Sequence, residues 1–296
     1  MIIITIPAYN EEETIGETIS EIKEVMQKTD YKFKIQVVDD GSQDKTGIIA
    51  KKEGAEVFSH KTNFGLVKTF QTEIKMCLEK KAEIIIHTDA DNQYDPSTIP
   101  FMIRKIKEGN DLVLGSRFKN KITYKNGFSK SLGNILFAKI ISKLIKQKIT
   151  DTTTGYRAFT REVAEKIKII NTFTYTQEQI IKASKLGLKI EEVPIQARKT
   201  KRKSKLFKNP FDYAIKAWIN ILRIYRDYNP LKFFGIIGFN LMIAGIILGL
   251  YLVSNFILSG KVGHIPLTIL SILLLIMGLQ FILFGFLADM KSHNEN

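Results

Sequence analysis

The sequence contains one cysteine, one tryptophan and far fewer acidic than basic residues. Cys77 has no second cysteine to pair with, which excludes an intrachain disulfide, and its helical pattern with Ile74 and Leu78 indicates a core residue. There is no internal repeat and no low-complexity tract. The apolar start, residues 1–6, is short and lacks a basic leader, so we expect no signal peptide and a cytosolic chain start.

The shortage of acids leaves 44 basic against 30 acidic residues, a formal net charge of +14. Such an excess favours a polyanionic partner: nucleic acid, a phosphorylated substrate or an anionic lipid surface. Because no DNA- or RNA-binding motif occurs, we expect no nucleic-acid partner. A chain of 296 residues has room for one domain of about 200 residues and a smaller unit.

Long apolar runs are confined to the C-terminal part, at residues 233–258 and 265–287. Each exceeds the roughly 20 helical residues that cross a hydrocarbon layer of about 30 Å. We predict a hairpin of two membrane-spanning helices within residues 230–296, followed by a short tail. The alternative is two buried helices of a soluble core, but the rest of the chain is too short to wrap both.

The flanking charges predict the orientation of this hairpin. Basic residues crowd positions 198–208 with no acid among them, whereas the connection between the spans carries only Lys261. Positive residues favour the cytoplasmic side. We therefore expect a multi-pass protein of the cell membrane, with the N-terminal domain (residues 1–206) and the tail both cytoplasmic.

Residues 207–229 carry an apolar stripe at helical spacing, made of Phe211, Ala214, Ile215, Trp218, Ile219, Leu222 and Tyr225. Basic residues and amphipathic aromatics on one helix are typical of a helix lying at the membrane interface, so the bilayer is an expected partner. Packing of the same stripe against the N-terminal domain is the alternative.

In the N-terminal domain, apolar runs alternate with helical patterns. The runs lie at 2–6, 35–38, 84–87 and 112–114, and the helical patterns lie near 14–28, 44–53, 66–80 and 98–107. This alternation predicts an α/β fold, a mostly parallel sheet with helices on both faces. Ligands bind beyond the carboxyl ends of such strands. The polar segments that follow the runs are residues 7–11, 39–44, 89–91 and 115–117, and the rule brings them to one edge.

One of these segments is strongly acidic: Asp89 and Asp91 directly follow the run that ends at His87. Mg²⁺ and similar hard cations take one or two carboxylates together with substrate phosphates. The spacing therefore predicts a divalent-cation clamp. The alternative is that these aspartates cap the helix that starts near Pro96.

Taken together, five motifs resemble the family 2 glycosyltransferases over roughly residues 1–206. They are Ile6–Glu11, Val37–Thr46, Asp89–Gln93, Gly115–Phe118 and Asp151–Arg157. Within that family the chain is most similar to polyprenyl-phosphate glycosyltransferases of the dolichol-phosphate mannose synthase type. The resemblance implies a GT-A nucleotide-diphospho-sugar transferase fold, Mg²⁺ or Mn²⁺, and inversion at the sugar carbon. It also implies a nucleotide-sugar donor such as GDP-mannose or UDP-glucose and a dolichyl or undecaprenyl phosphate acceptor, and it leaves a homo-oligomer open.

The resemblance also implies a donor pocket. Its nucleoside part would be lined by Pro7, Tyr9, Glu11, Val38 and Asp40. A tyrosine face can stack on a base, and carboxylates accept hydrogen bonds from base N–H groups or ribose hydroxyls. Asp39 either shares this role or caps the following helix.

Asp89, Asp91 and Gln93 match the metal-binding positions of the family, with the Ala90 backbone against the donor. The resemblance implies that a cation held there would bind the diphosphate and would stabilise the charge that develops on the leaving nucleotide.

Basic residues are implied at the donor phosphates. Arg117 matches a phosphate-contacting arginine, with a surface salt bridge as the alternative, and Lys125 stands where relatives often have another arginine. The Arg-x-x-Gly-x-Ser-Lys loop of the family is retained as residues 199–205, with lysine first and Arg202 in place of glycine. We expect Arg202 and Lys205 to contact phosphate in a cationic lid; a patch facing anionic lipid is the alternative.

Asp151 opens the motif that the family places beside the acceptor. A lipid phosphate is already anionic at neutral pH, so catalysis rests on alignment and charge stabilisation. Asp151 then orients the acceptor or acts as a weak base, and a helix cap is the alternative. The expected catalytic set is Asp91, Asp151 and Arg117. His87 is expected to be packed, and His60, His264 and His293 show no partners.

Two rival functions stay open. One is a tethered glycosyltransferase with another acceptor, such as diacylglycerol or a growing polysaccharide. The Gln-x-x-Arg-Trp signature of processive synthases is absent, because the only tryptophan, Trp218, follows Ala217. The other is a catalytically silent membrane scaffold that presents its basic surface, against which Asp89, Asp91 and Arg117 argue.

Overall fold

The computed structural model describes residues 1–119, 128–169, 175–198, 219, 222–223, 225–260 and 265–294. Its contacts divide the chain into two compact units, Met1–Phe207 and Lys208–Asn296. Lys125, Arg202, Lys205 and His264 lie outside the described residues, as does most of the predicted interfacial helix.

Within these described ranges the first unit contains a seven-stranded sheet flanked by helices. Its strands are β1 (Ile2–Ala8), β2 (Phe33–Asp39), β3 (Glu56–Ser59), β4 (Ile84–His87), β5 (Leu112–Ser116), β6 (Arg157–Thr160) and β7 (Ile190–Pro194). Its helices are α1 (Ile15–Gln27), α2 (Thr46–Lys52), α3 (Leu66–Glu79), α4 (Ile99–Lys107), α5 (Phe128–Ile145), α6 (Arg161–Lys166) and α7 (Thr176–Lys185), with a short 3₁₀ helix at Pro96–Thr98. The strand order is β3-β2-β1-β4-β6-β5-β7.

The predicted α/β fold is confirmed, and each predicted apolar run and helical pattern corresponds to a strand or helix. The sheet interior is rich in isoleucine: Ile4 on β1 and Ile86 on β4 are fully buried, and α1 packs its apolar face there through Ile15 and Ile19. Each such side chain contributes about 1.5–3 kcal/mol relative to exposure. Strands β3, β6 and β7 were not predicted, because none is a continuous apolar run.

The direction of β6 determines which segments reach the site. It pairs antiparallel with both β4 and β5, whereas β1, β2 and β4 are parallel, as are β5 and β7. The carboxyl ends of β1, β2, β4 and β5 therefore meet at one edge. Because β6 runs the other way, the segment that precedes it, residues 151–156, approaches that same edge.

The second unit contains α8 (Pro230–Ser259) and α9 (Ile265–Asn294), both long and apolar enough to cross a membrane. They pack antiparallel, and glycine and serine residues stand where the two helices come closest. A Cβ atom on Gly278 would lie 2.7 Å from the carbonyl oxygen of Gly238, and Ser271 Oγ donates a 2.8 Å hydrogen bond to the carbonyl of Gly245. Small residues of this kind allow close backbone approach between apolar helices.

We expect Gly278→Leu to separate α8 from α9, because the new side chain would meet the backbone of Gly238 and the side chain of Met242. Overpacking of this kind costs about 1–3 kcal/mol. Thermal unfolding of the full chain in detergent, followed by circular dichroism, should show a lower midpoint. Gly235→Leu is the matched control, since nothing lies within 4 Å of a Cβ there. Equal midpoints for both variants would contradict the packing.

Candidate active site

The loops that follow β1 and β2 are joined into one platform at the carboxyl edge. The amide of Asn10 donates to Ser42 Oγ (2.9 Å), and the amide of Gln43 donates to Asn10 Oδ1 (2.8 Å). The amide of Glu11 donates to Thr46 Oγ1 (2.8 Å). Asn10 adopts a left-handed conformation (φ 53°), which asparagine tolerates better than most residues. These bonds hold the predicted nucleoside-binding segments side by side.

The residues predicted for the nucleoside pocket differ in accessibility. Tyr9 is 36% exposed, so its ring faces solvent at the edge. Pro7 and Val38 are register partners on β1 and β2, and the Val38 side chain is fully buried. Glu11 is buried, with Oε2 accepting a hydrogen bond from Thr14 Oγ1 (3.3 Å). Their role toward a nucleoside stays a prediction.

Asp39 shapes the turn after β2. Its Oδ1 accepts a hydrogen bond from the amide of Ser42 (3.0 Å). It does not cap α2, because the amide of Thr46 is bonded by Asp44 instead (2.9 Å).

Asp40 fastens the start of α3 to the same edge. Its carboxylate accepts hydrogen bonds from the amides of Phe64 (3.0 Å) and Gly65 (2.8 Å). His60 Nδ1 lies 2.7 Å from Asp40 Oδ1, and His60 Nε2 lies 2.9 Å from Thr72 Oγ1. The expectation that His60 has no partner is therefore wrong. Binding of the donor by Asp39 or Asp40 remains a prediction.

The acidic pair lies directly beyond β4. The cap of the 3₁₀ helix is Asp95, whose Oδ1 accepts from the amide of Ser97 (2.9 Å), so the capping alternative for Asp89 and Asp91 is wrong. The amide of Gln93 donates to Asp91 Oδ1 (3.2 Å). The carbonyl oxygen of Ala90 accepts from Thr18 Oγ1 (3.1 Å), which anchors the segment to α1.

The electrostatics of the pair suit a divalent cation. Burial, and then the charge of Asp91, raises the pKa of Asp89 to about 6. A bound cation relieves this repulsion. No cluster of three or more His, Cys, Asp or Glu able to hold a metal ion occurs in the part of the chain that the structure describes. Two carboxylates completed by substrate phosphates are the donor set that Mg²⁺ accepts, so the residues fit the ion.

Gly155 allows the segment before β6 to approach the acidic pair. A Cβ atom at this position would lie 2.8 Å from Asp89 Oδ1 and 3.2 Å from the hydroxyl of Tyr175. Gly155 belongs to the fifth motif, but no role could be predicted for it from the sequence, because Asp89 is 66 positions away.

We expect Gly155→Ala to lower turnover by about a hundred-fold, because its methyl group would lie 2.8 Å from Asp89 Oδ1 and would displace that carboxylate. The measurement is steady-state turnover by the full chain. Gly235→Ala adds the same methyl group where nothing lies within 4 Å and should leave the rate unchanged. A Gly155→Ala enzyme as active as that control would show that Asp89 tolerates displacement.

Arg117 and Asp151 form a bidentate ion pair between the β5 and β6 ends. Arg117 Nε lies 2.7 Å from Asp151 Oδ2, and Nη2 lies 2.9 Å from Oδ1 and 2.8 Å from Thr153 Oγ1. Arg117 is 11% exposed and Asp151 is fully buried, so this is an interior pair rather than the surface salt bridge considered above. Asp151 caps no helix in this arrangement. Contact with phosphate or acceptor stays a prediction.

A buried polar network lies behind Asp89. His87 Nδ1 lies 2.8 Å from the carbonyl oxygen of Gly155, and its Nε2 lies 3.2 Å from Glu73 Oε2. Thr5 Oγ1 donates to Glu73 Oε1 (2.9 Å). Burial, the largest single cause, lowers the pKa of His87, but the charge and hydrogen bond of Glu73, the charge of Asp89 and the carbonyl of Gly155 together raise it above its ordinary value. His87 is packed as predicted; Glu73 was missed, since an acid on an amphipathic helix gives no sign of its buried partner.

Arg157, at the start of β6, is fully buried and connects residues 151–156 to α7. It donates to the carbonyls of Thr154 (2.9 Å) and Thr176 (2.7 Å) and to Gln179 Oε1 (3.0 Å). Burial lowers its pKa to about 10, so it remains charged at neutral pH.

Arg198 holds the segment after β7 against residues 92–93, which follow the acidic pair. Its Nη1 donates to Glu21 Oε2 (2.7 Å) and Asn92 Oδ1 (2.8 Å), and its amide donates to the carbonyl of Gln93 (2.8 Å). From the sequence, Arg198 was predicted only to be one of the charges that flank the apolar helices.

The mixed sheet, with an acidic pair and a buried arginine at its carboxyl edge, defines an α/β enzyme whose site suits a metal-bound phosphate ester. Residues 3–168, more than half of the chain, match the family described as glycosyl transferase family 2. The chain belongs to this family and is a glycosyltransferase.

Curated relatives include an uncharacterized protein of Methanocaldococcus jannaschii, 42% identical over 200 residues, which cover 66% of this chain and 80% of the relative. A dolichyl-phosphate hexose transferase of Haloferax volcanii is 31% identical, with 70% and 86% covered. A dolichol-phosphate mannosyltransferase of Pyrococcus furiosus is 29% identical, with 91% and 77% covered.

Among solved structures, glucosyl-3-phosphoglycerate synthase from Mycobacterium tuberculosis in complex with Mn²⁺ and UDP-glucose superposes with a TM-score of 0.57. It is 21% identical, and the match covers 76% of this chain and 78% of that one. At this identity the likeness concerns the fold alone, and the predicted GT-A fold is confirmed.

Proposed function

We propose that this glycosyltransferase transfers a sugar, mannose or glucose, from a nucleotide-sugar to a polyprenyl phosphate at the cytoplasmic face of a membrane. One observation supports this proposal most directly: Asp89 and Asp91 lie at the same edge of a GT-A sheet as the Arg117–Asp151 pair. The two long apolar helices of the same chain support a membrane-embedded acceptor. The names of the Haloferax and Pyrococcus relatives support its chemical class.

We assign Asp89, Asp91 and Gln93 to a divalent cation, Mg²⁺ or Mn²⁺. When bound, this cation would act as a Lewis acid on the donor diphosphate and would stabilise the negative charge that develops on the leaving nucleotide. Arg117 adds a fixed positive charge for the phosphates, since its fork is held by Asp151 and Thr153.

The acceptor supplies its own nucleophile. A phosphate monoester oxygen is anionic at neutral pH, so it attacks the anomeric carbon without prior loss of a proton to the enzyme. One C–O bond forms, the bond from that carbon to the donor phosphate breaks, and the configuration inverts. Both oxygens of the buried Asp151 accept hydrogen bonds from Arg117, so we assign Asp151 to holding Arg117. The work of the protein is then alignment and charge stabilisation.

The test uses the full chain in nanodiscs containing polyprenyl phosphate, with Mn²⁺ or Mg²⁺ and a panel of GDP- and UDP-sugars. Mass spectrometry of the lipid fraction should show a glycosylated polyprenyl phosphate with one donor, and none when the metal is chelated. Transfer only to added diacylglycerol or glycan would overturn the acceptor. Metal-dependent nucleotide binding without any product would favour the silent scaffold.

The proposed topology is tested separately with a membrane-impermeant thiol reagent on sealed vesicles. Lys148→Cys and Lys261→Cys are each introduced into a Cys77→Ala background. The two cysteines should be labelled from opposite sides of the vesicle membrane. Labelling of both from the same side would overturn the hairpin or its orientation.

A further inference from the structure

Glu192 on β7 is a buried carboxylate that belongs to none of the five sequence motifs. It is 7% exposed, and its oxygens accept three hydrogen bonds from neighbouring residues of one segment. Oε1 accepts from the amides of Thr150 (2.8 Å) and Asp151 (3.0 Å), and Oε2 accepts from Thr150 Oγ1 (3.0 Å). Charge-assisted bonds of this kind are shorter and stronger than neutral ones.

These bonds continue to Arg117 by two routes. In the first, Asp151, whose amide is held by Glu192, binds the Arg117 guanidinium through both carboxylate oxygens. In the second, Thr150 Oγ1 lies 2.6 Å from Ser116 Oγ, in the residue directly before Arg117. Both the backbone and the guanidinium of Arg117 are therefore fixed relative to Glu192.

The nearby cation Lys119 bonds groups other than the Glu192 carboxylate. Lys119 bonds the exposed Glu191 (3.2 Å) and the backbone carbonyl of Glu192. Burial raises the pKa of Glu192, and the amides of Asp151 and Thr150 oppose this shift.

We propose that Glu192 is a positioning residue that sets the direction of the Arg117–Asp151 pair during transfer. The inference rests on the proposed function, because it takes Arg117 to act on phosphate. Glu192 bonds the backbone amide of Asp151 and not Arg117 itself, so we expect it to act only through the Arg117–Asp151 pair.

The variants follow from the hydrogen bonds. Glu192→Ala leaves the two amides without their acceptor, and we expect kcat to fall about thirty- to a hundred-fold, as for a misplaced charge-stabilising group. Glu192→Gln keeps one oxygen for both amides and should restore the rate to within about five-fold of the parent. Glu191→Ala, which removes the adjacent exposed carboxylate, should change kcat by less than about two-fold.

A double-mutant cycle with Arg117→Ala separates positioning from a general structural effect. If Glu192 acts through Arg117, adding Glu192→Ala to Arg117→Ala costs little further activity. If the two losses multiply, the proposal is wrong. Mn²⁺ affinity, measured by electron paramagnetic resonance without donor, should be the same in Glu192→Ala and the parent, because the acidic pair is untouched; a loss there would equally overturn it.

If Glu192→Ala does not fold, Glu192→Asp, which withdraws the carboxylate by one methylene, takes its place in the same cycle with the same expected non-additivity. An inactive parent enzyme would count against the proposed function, whereas an active parent with multiplying losses would count against the role of Glu192 alone.

Discussion

Exchange of Asp91 for asparagine should reduce sugar transfer by roughly a hundred- to a thousand-fold, the scale of losing one major charge-stabilising group. Asparagine keeps the size of the side chain and removes one of the two charges that would hold the cation. The pKa of Asp89 should fall toward its ordinary value, because the neighbouring charge that helps to raise it is gone. The measurement is transfer as a function of Mn²⁺ concentration, with direct Mn²⁺ binding in the absence of donor.

Asp95→Asn is the matched control for this experiment. Asp95 stands four positions beyond Asp91 and caps the 3₁₀ helix, and asparagine caps nearly as well. The control should keep the Mn²⁺ dependence of the parent. An Asp91→Asn enzyme with the same Mn²⁺ requirement and rate as Asp95→Asn would remove the metal role from Asp91.

Replacement of His87 by leucine should destabilise the first unit by about 3–5 kcal/mol, the scale of breaking a buried ion pair on one side. Glu73 and His87 are both fully buried, so the remaining Glu73 carboxylate would keep only Thr5 among the partners described here. For a unit of this size the loss corresponds to a fall in Tm on the order of 10 °C. The measurement is thermal unfolding with the metal chelated, so that no bound ion contributes.

Two further variants make this result specific. The double change His87→Leu with Glu73→Leu replaces the pair by apolar groups and should recover much of the lost stability. Lys28→Leu breaks the exposed pair with Glu24 and should leave the unfolding midpoint nearly unchanged. Equal losses from Lys28→Leu and His87→Leu would mean that the buried pair contributes no more than a surface one.

Much of the architecture follows from local patterns. The β1 and β4 runs are continuous and β-branched, and the amphipathic helices between them have the helical period, so element type is encoded within a few residues. Asp89 and Asp91 could be identified for the same reason, because both belong to one short segment after a strand. The two apolar helices were evident from length and lack of charge.

The site contacts could not be read in this way. Strand β6, with Arg157 buried at its start, lacks the apolar run that marks a strand, and its antiparallel insertion between β4 and β5 has no local signature. That insertion brings Gly155 to Asp89 and Asp151 to Arg117. A residue such as Glu73 or Glu192 has the same local pattern whether it faces solvent or a buried partner.

By itself the sequence determined the alternating α/β elements, the acidic pair and the two long apolar helices, because each depends on composition over a short window. The tertiary structure alone decided that Asp151 binds Arg117, that Glu192 binds the amide of Asp151, and that His87 faces Glu73. These pairs join residues 14 to 41 positions apart. Their energies come from burial and mutual orientation, which exist only once the sheet has assembled.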